Sequence, residues 1–127
     1  MKPKLSGPAA SYLAVAQGIF YLATGVWPLV SASTFQKVTG PKVDFWLVKT
    51  VGLLIAVIGG VLIWAGLRRQ VDAPLAALAA GSAASLSAVD VVYVSKRRIS
   101  PVYLLDFAAE AGIILAWLAV WFRKEEI

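Results

Sequence analysis

The sequence predicts an all-α integral membrane protein, a four-helix bundle in a single transmembrane domain spanning residues 1–127. Three observations predict it. Charged residues make up 15% of the chain and mean hydropathy is +0.78, whereas an ordinary soluble domain carries about 25% charge. A soluble protein of 127 residues has too much surface for its volume to hide that much apolar side chain. The apolar residues also fall into four runs, each long enough at about 1.5 Å per residue to cross a hydrocarbon core of about 30 Å. The net charge of +5 and pI of about 9.8 come from basic residues at the ends of these runs. There they meet lipid headgroups and hold loops in place, and no nucleic-acid partner is expected.

The first span covers about 12–30, with no charge between Lys4 and Lys37. Lys2 and Lys4 before it and Ser31-Ala32-Ser33 after it are also features of a signal peptide, but the apolar run exceeds a typical signal core. The connection from Ser31 to Asp44 contains Thr39-Gly40-Pro41-Lys42, which is turn chemistry, with Asp44 as the expected N-cap of the second span. It lacks the glycine-rich frame of a phosphate loop. Phe35 and Val38 are expected to rest on the headgroups. The second span covers about 45–67. The third covers 74–94, with Pro74 suited to a first helical turn. The fourth covers 101–122 and must admit Asp106 and Glu110; Ile113 through Phe122 is apolar all round, which rules against an interfacial helix.

Small residues mark expected helix contacts. Gly52, Gly59 and Gly66 recur every seven residues. Ala77, Gly81 and Ser85, then Ala80, Ala84 and Ala88, then Ala108, Gly112 and Ala116 form ridges that let backbones approach in lipid. The third span, poor in large residues, is expected at the centre. Trp27 and Trp46 toward the long loop, and Trp64, Trp117 and Trp121 toward the termini, read as interfacial belts, with Trp27 or Trp117 as alternative pocket walls.

The functional signal lies in the charges at membrane depth. Because the spans alternate in direction, Lys49, Asp90 and Asp106 all fall in the half of the bilayer on the long-loop side. Glu110, one turn deeper than Asp106, sits about 2 to 3 Å from the midplane. A charge near the bilayer centre costs at least about 2.5 to 3.5 kcal/mol, so these groups need partners. Lys49 is expected to pair with one carboxylate. The others need donors, protons or a cationic ligand. Tyr93, Tyr103, Thr24, Thr50 and Ser87 are candidate donors in the same half, and Gln17 a donor to Glu110 from the other. The alternative is a permanent salt-bridge cluster, or side chains that snorkel to the interface. There is no cysteine and no histidine, which excludes disulfides, thiolate catalysis and the usual zinc sites; no cofactor and no metal are expected.

Lys2, Lys4, Arg68, Arg69, Arg123 and Lys124 lie on the terminal side, and Lys37, Lys42, Lys96, Arg97 and Arg98 on the other. So even a balance does not specify orientation. Dual topology with an antiparallel homodimer is one explanation, and an orientation fixed by something other than charge is the other.

In length, four spans and balanced basic residues the chain resembles the small dual-topology transporters and fluoride channels. The segment Thr39-Gly40-Pro41-Lys42-Val43-Asp44-Phe45-Trp46-Leu47-Val48, with Asp90-Val91-Val92-Tyr93 and Tyr103-Leu104-Leu105-Asp106, is similar to small bacterial four-span membrane proteins, and the expected location is the bacterial plasma membrane. The architecture also resembles the EXPERA-type fold of sterol isomerases and sigma-2-like receptors. That resemblance implies a greasy cationic ligand held by Asp90, Asp106 and Glu110.

The expectation is therefore a membrane protein that binds or transports a small hydrophobic, cationic or protonatable ligand. Its expected site residues are Lys49, Asp90, Asp106, Glu110, Tyr93, Tyr103, Trp27 and Gln17. Two alternatives are a membrane enzyme using carboxylate acid/base chemistry on a lipid- or isoprenoid-like substrate, and an accessory subunit whose charges pair with a partner.

Overall fold

A computed structural model describes residues 8–124, the last two by their helical backbone alone; Lys2 and Lys4 lie outside the described residues. Five helices follow one another: α1 Pro8–Val30, α2 Ala32–Thr39, α3 Phe45–Leu67, α4 Ala73–Ser95 and α5 Tyr103–Lys124. Four of them, α1, α3, α4 and α5, are long and apolar enough to cross a membrane. The chain is an all-α membrane bundle.

The helix ends show how the sequence makes these elements. Asp72 caps α4, its carboxylate accepting the Leu75 N–H at 3.0 Å, and Pro74 occupies the first turn, where its missing N–H costs nothing. The fourth span begins at Tyr103 and not at Pro101, because Ser100-Pro101-Val102 turns on itself; the Val102 N–H donates to Ser100 Oγ at 3.2 Å. The long connection differs from expectation. It contains the helix α2, started by Ser31, whose Oγ accepts the Thr34 N–H at 3.4 Å, and ended at Gly40 with φ 98°. The turn chemistry is thus confined to residues 40–44. Asp44 does not cap α3: its backbone is left-handed, φ 53°, and its side chain makes no capping bond. A capping side chain needs the extended backbone that Asp44 lacks.

The tightest packing is between α1 and α3. They run antiparallel, and small residues spaced by seven on both helices meet in register: Ser11 with Gly66, Gly18 with Gly59, Gly25 with Gly52. A Cβ placed on Gly59 would lie 2.6 Å from the Gly18 carbonyl oxygen; one on Gly52 would lie 2.6 Å from that of Gly25; one on Gly66 would lie 2.7 Å from that of Ser11. Seven-residue spacing keeps one seam facing the partner along a left-handed supercoil. In lipid such close approach replaces hydrophobic burial as the source of association.

α1 is therefore the central helix, with α3 on one side and α5 on another, and this corrects the expectation for the third span. α4 pairs with α5 and scarcely touches α3. The buried face of α4 runs through Ala76, Ala79, Ala83, Ser87 and Asp90. Ala77, Gly81 and Ser85 are exposed, as are Ala84 and Ala88, and so are Ala108 and Gly112 of α5; Cβ atoms on Gly81 and Gly112 would meet nothing within 4 Å. These residues are not helix contacts within the chain, whereas Ala80 packs against the apolar core and Ala116 is half-buried. Small side chains permit approach without choosing a neighbour.

The apolar core lies toward the terminal end, where Ala10, Ala14, Leu62, Val71, Ala76, Ala79 and Trp117 pack together. Trp117 is 2% exposed and belongs to this core, not to an interfacial belt. Trp46 and Trp64 are well exposed, as belt residues are.

Adjacent glycines of α3 provide a test. Gly59→Ala is expected to lower stability by about 1–3 kcal/mol or more, because the added methyl meets backbone. Gly60→Ala, whose Cβ meets nothing within 4 Å, is expected to be neutral or slightly stabilising. Thermal unfolding of both variants in detergent measures the difference.

Candidate functional site: an acidic cavity between four helices

The geometry of the site begins with periodicity. Asp90 ends the buried face of α4. Asp106, Glu110, Ile113 and Trp117 share one face of α5, since three- and four-residue steps return to the same side. That face of α5 meets α1, which presents Gln17, Tyr21 and Thr24 at the same spacing.

Two buried hydrogen-bonded groups result. The Tyr21 hydroxyl donates to Glu110 Oε1 at 2.6 Å. Tyr21 and Glu110 are each 1% exposed. Below them Trp117 Nε1 donates to Gln17 Oε1 at 2.7 Å, and Gln17 Nε2 donates to the Ala79 carbonyl at 3.0 Å. The second group ties α1, α4 and α5 together. It uses both ends of the glutamine amide, so its buried polar atoms are partnered.

Above this layer a cavity of about 360 Å³ opens toward the long-loop side. Asp90, Asp106 and Glu110 line it together with Tyr21, Tyr103, Phe35 and Lys42, and Val51, Ile55 and Leu86 form apolar walls. Asp106 stands within hydrogen-bonding and electrostatic reach of both Asp90 and Glu110. Asp90 is 4% exposed, and its Oδ2 has no hydrogen-bond partner; the same holds for the buried Ser87 Oγ.

The expected site residues are thus divided. Asp90, Asp106, Glu110 and Tyr103 come together at the cavity. Lys49 does not. It is exposed and turned away from the wall that Val48, Val51 and Gly52 make, and among the described residues no basic side chain reaches a carboxylate at ion-pair distance. A step of one residue rotates a helix position by about 100°, so shared depth does not imply a shared face. Tyr93 is also outside, 41% exposed, with Lys96 Nζ 5.8 Å from its ring. Trp27 stands behind the wall: its ring meets Phe35 edge-on at 5.2 Å and its Nε1 donates to Thr34 Oγ1 at 2.9 Å. Gln17 bonds Trp117 and Ala79 in place of Glu110. Thr24 and Thr50 donate to the carbonyls of Phe20 and Trp46 in their own helices.

Two residues of the site lie outside the sequence expectation. Tyr21 supplies the donor to Glu110. It lies one helical turn from Gln17 and near the middle of its span, where a phenol needs a partner. Lys42 replaces Lys49 as the nearby cation. Its Nζ donates to Thr39 O, Gly40 O and Thr39 Oγ1 at 2.9, 2.9 and 3.1 Å, and lies 5.2 Å from the Tyr103 ring and 5.7 Å from that of Phe35. These contacts hold it at the mouth. Phe35 belongs to the cavity and to the packing of α2 against Trp27 and Phe45.

Among the described residues, no group of three potential ligands is arranged to hold a metal ion. No family model, curated protein or solved structure matches this chain.

Removing the Tyr21 hydroxyl tests the deep bond. Tyr21→Phe is expected to cost about 1–3 kcal/mol, the penalty for a buried group losing its partner. Lys49→Gln is expected to stay within about 0.5 kcal/mol of the parent, as surface changes do. Thermal midpoints in one detergent compare them.

Proposed function

We propose that this protein binds, and carries within the membrane, a small hydrophobic organic cation or protonatable amine, held in the acidic cavity between α1, α3, α4 and α5. The observation that carries this reading is Asp90: a carboxylate 4% exposed, lining a cavity, with one oxygen unpartnered and, among the described residues, no basic side chain at ion-pair distance. An unsatisfied buried acceptor costs about 1–3 kcal/mol, and more when charged. An ammonium or N–H group in the cavity supplies the missing donor.

The remaining residues fit the same occupant. Glu110 is held at the floor by Tyr21, and Asp106 stands between the two deeper acids. Tyr103 engages Lys42 at the mouth, its ring 5.2 Å from Nζ, so the protein's own cation stays clear of the acids. The apolar walls suit a greasy body. A volume of about 360 Å³ falls in the range of small-molecule sites, about 300–1,000 Å³. In the transport version Glu110 is the proton-exchanging group, because it is the deepest acid. An accessory subunit would need no cavity at its carboxylates, and the cavity at Asp90 favours the binding reading over it.

Equilibrium binding of labelled tetraphenylphosphonium to the protein in lipid nanodiscs tests this. Asp90→Asn and Glu110→Gln are each expected to weaken binding at least about tenfold, or about 1.4 kcal/mol, and Lys49→Gln to leave it unchanged. Equal binding by the parent and Asp90→Asn would sink the reading. Equal proton-coupled uptake of methylammonium into liposomes by the parent and Glu110→Gln would remove transport and leave binding.

A further inference from the structure

α3 and α4 follow one another in the chain through a short connection, yet their walls stand apart. The gap between them is a groove of about 480 Å³, and Tyr21 of α1 forms its floor. On the α4 side it is lined by Ala77, Gly81 and Ser85, the exposed small residues of that helix. The Ser85 hydroxyl donates to the Gly81 carbonyl at 2.9 Å, so it presents its own helix, and not the groove, with its proton.

The groove is continuous with the acidic cavity. Tyr21, Val51, Ile55 and Leu86 line both. One end of the combined space is therefore acidic, with the unpartnered Asp90 Oδ2, and the other is apolar and open toward the membrane interior. From Leu86 to Ala77 the groove follows α4 for about 13 Å. An extended alkyl chain, with C–C bonds of about 1.5 Å at tetrahedral angles, advances about 1.25 Å per bond. About ten methylenes fit that length.

We infer that the ligand is a single-chain amphiphile: an ammonium head beside Asp90 and Glu110, and an alkyl or acyl tail of about ten carbons lying between α3 and α4. The inference rests on the reading of the cavity as a cation site and names the class of molecule that fills it. Its orientation is that of a lipid in the leaflet on the long-loop side, drawn inward until its head meets the acids. Entry is from within the bilayer, through the gap between α3 and α4. The small side chains of α4 serve as the bed of the tail.

The test compares a short and a long cation, butyltrimethylammonium and dodecyltrimethylammonium, each displacing labelled tetraphenylphosphonium from the protein in the same nanodiscs. Partitioning into lipid cancels when each variant is divided by the parent. Gly81→Leu fills the groove at a position where the new side chain meets open space. It is expected to weaken the dodecyl compound at least about tenfold and the butyl compound less than about twofold. Gly112→Leu, equally open but on α5, is expected to change neither, and Asp90→Asn to weaken both. If Asp90→Asn weakens both and Gly81→Leu changes neither, or changes both equally, the groove is not the tail site and the cation reading stands. If Asp90→Asn changes neither, the cation site fails and the amphiphile reading falls with it.

Discussion

The contact on which the rest of the structure depends is the meeting of bare backbone along the α1–α3 seam. In a bilayer, apolar side chains gain nothing by leaving lipid for protein, so association needs dispersion at short range. Gly18 against Gly59 and Gly25 against Gly52 provide it. The seam also consumes one face of α1 and one of α3. What remains of α1, the face bearing Gln17 and Tyr21, is turned toward α5, and α4 then packs on α5. The gap between α3 and α4 follows from that arrangement.

The polar interior is layered by depth. Nearest the termini is an apolar core around Leu62 and Ala79. Next come Gln17 and Trp117, whose bonds are mutual and complete. Above them Tyr21 and Glu110 are joined to each other. At Asp90 and the neighbouring Ser87 the accounting of donors and acceptors stops closing. Satisfied networks hold helices in one arrangement, and here the satisfied part is the foundation while the unsatisfied part faces the open volume. That ordering separates what holds the bundle together from what is available to a ligand.

The parts of the fold legible in the sequence are those governed by one-dimensional constraints. Bilayer thickness sets span length, so 45–67 was readable to the residue, and Asp72 with Pro74 marks the start of α4 by local chemistry. The repeat of Gly52, Gly59 and Gly66 is legible, and its counterpart Ser11, Gly18 and Gly25 gains meaning once the antiparallel pairing is known. That Asp90, Asp106 and Glu110 share one stretch of the bundle was legible. Direction around the helix axis was not: Lys49 has the right depth and faces the wrong way. Nor were the ridges of α4, because small residues occupy nearly all its faces and sequence alone does not tell which face packs. Lys42 was hidden for a different reason. Its place is set by three oxygens of the residues just before it, a fold of loop backbone with no periodicity to read.

The Gln17–Trp117 bond has a further consequence. It lies directly beneath the acidic floor and ties α1 to α5, while the Gln17 amide ties α1 to α4. The floor of the cavity is thereby closed along the bundle axis, and its outlets are the long-loop mouth and the groove between α3 and α4. A path along the bundle axis toward the terminal end would have to part the indole from the amide, whereas the groove between α3 and α4 leaves that bond intact.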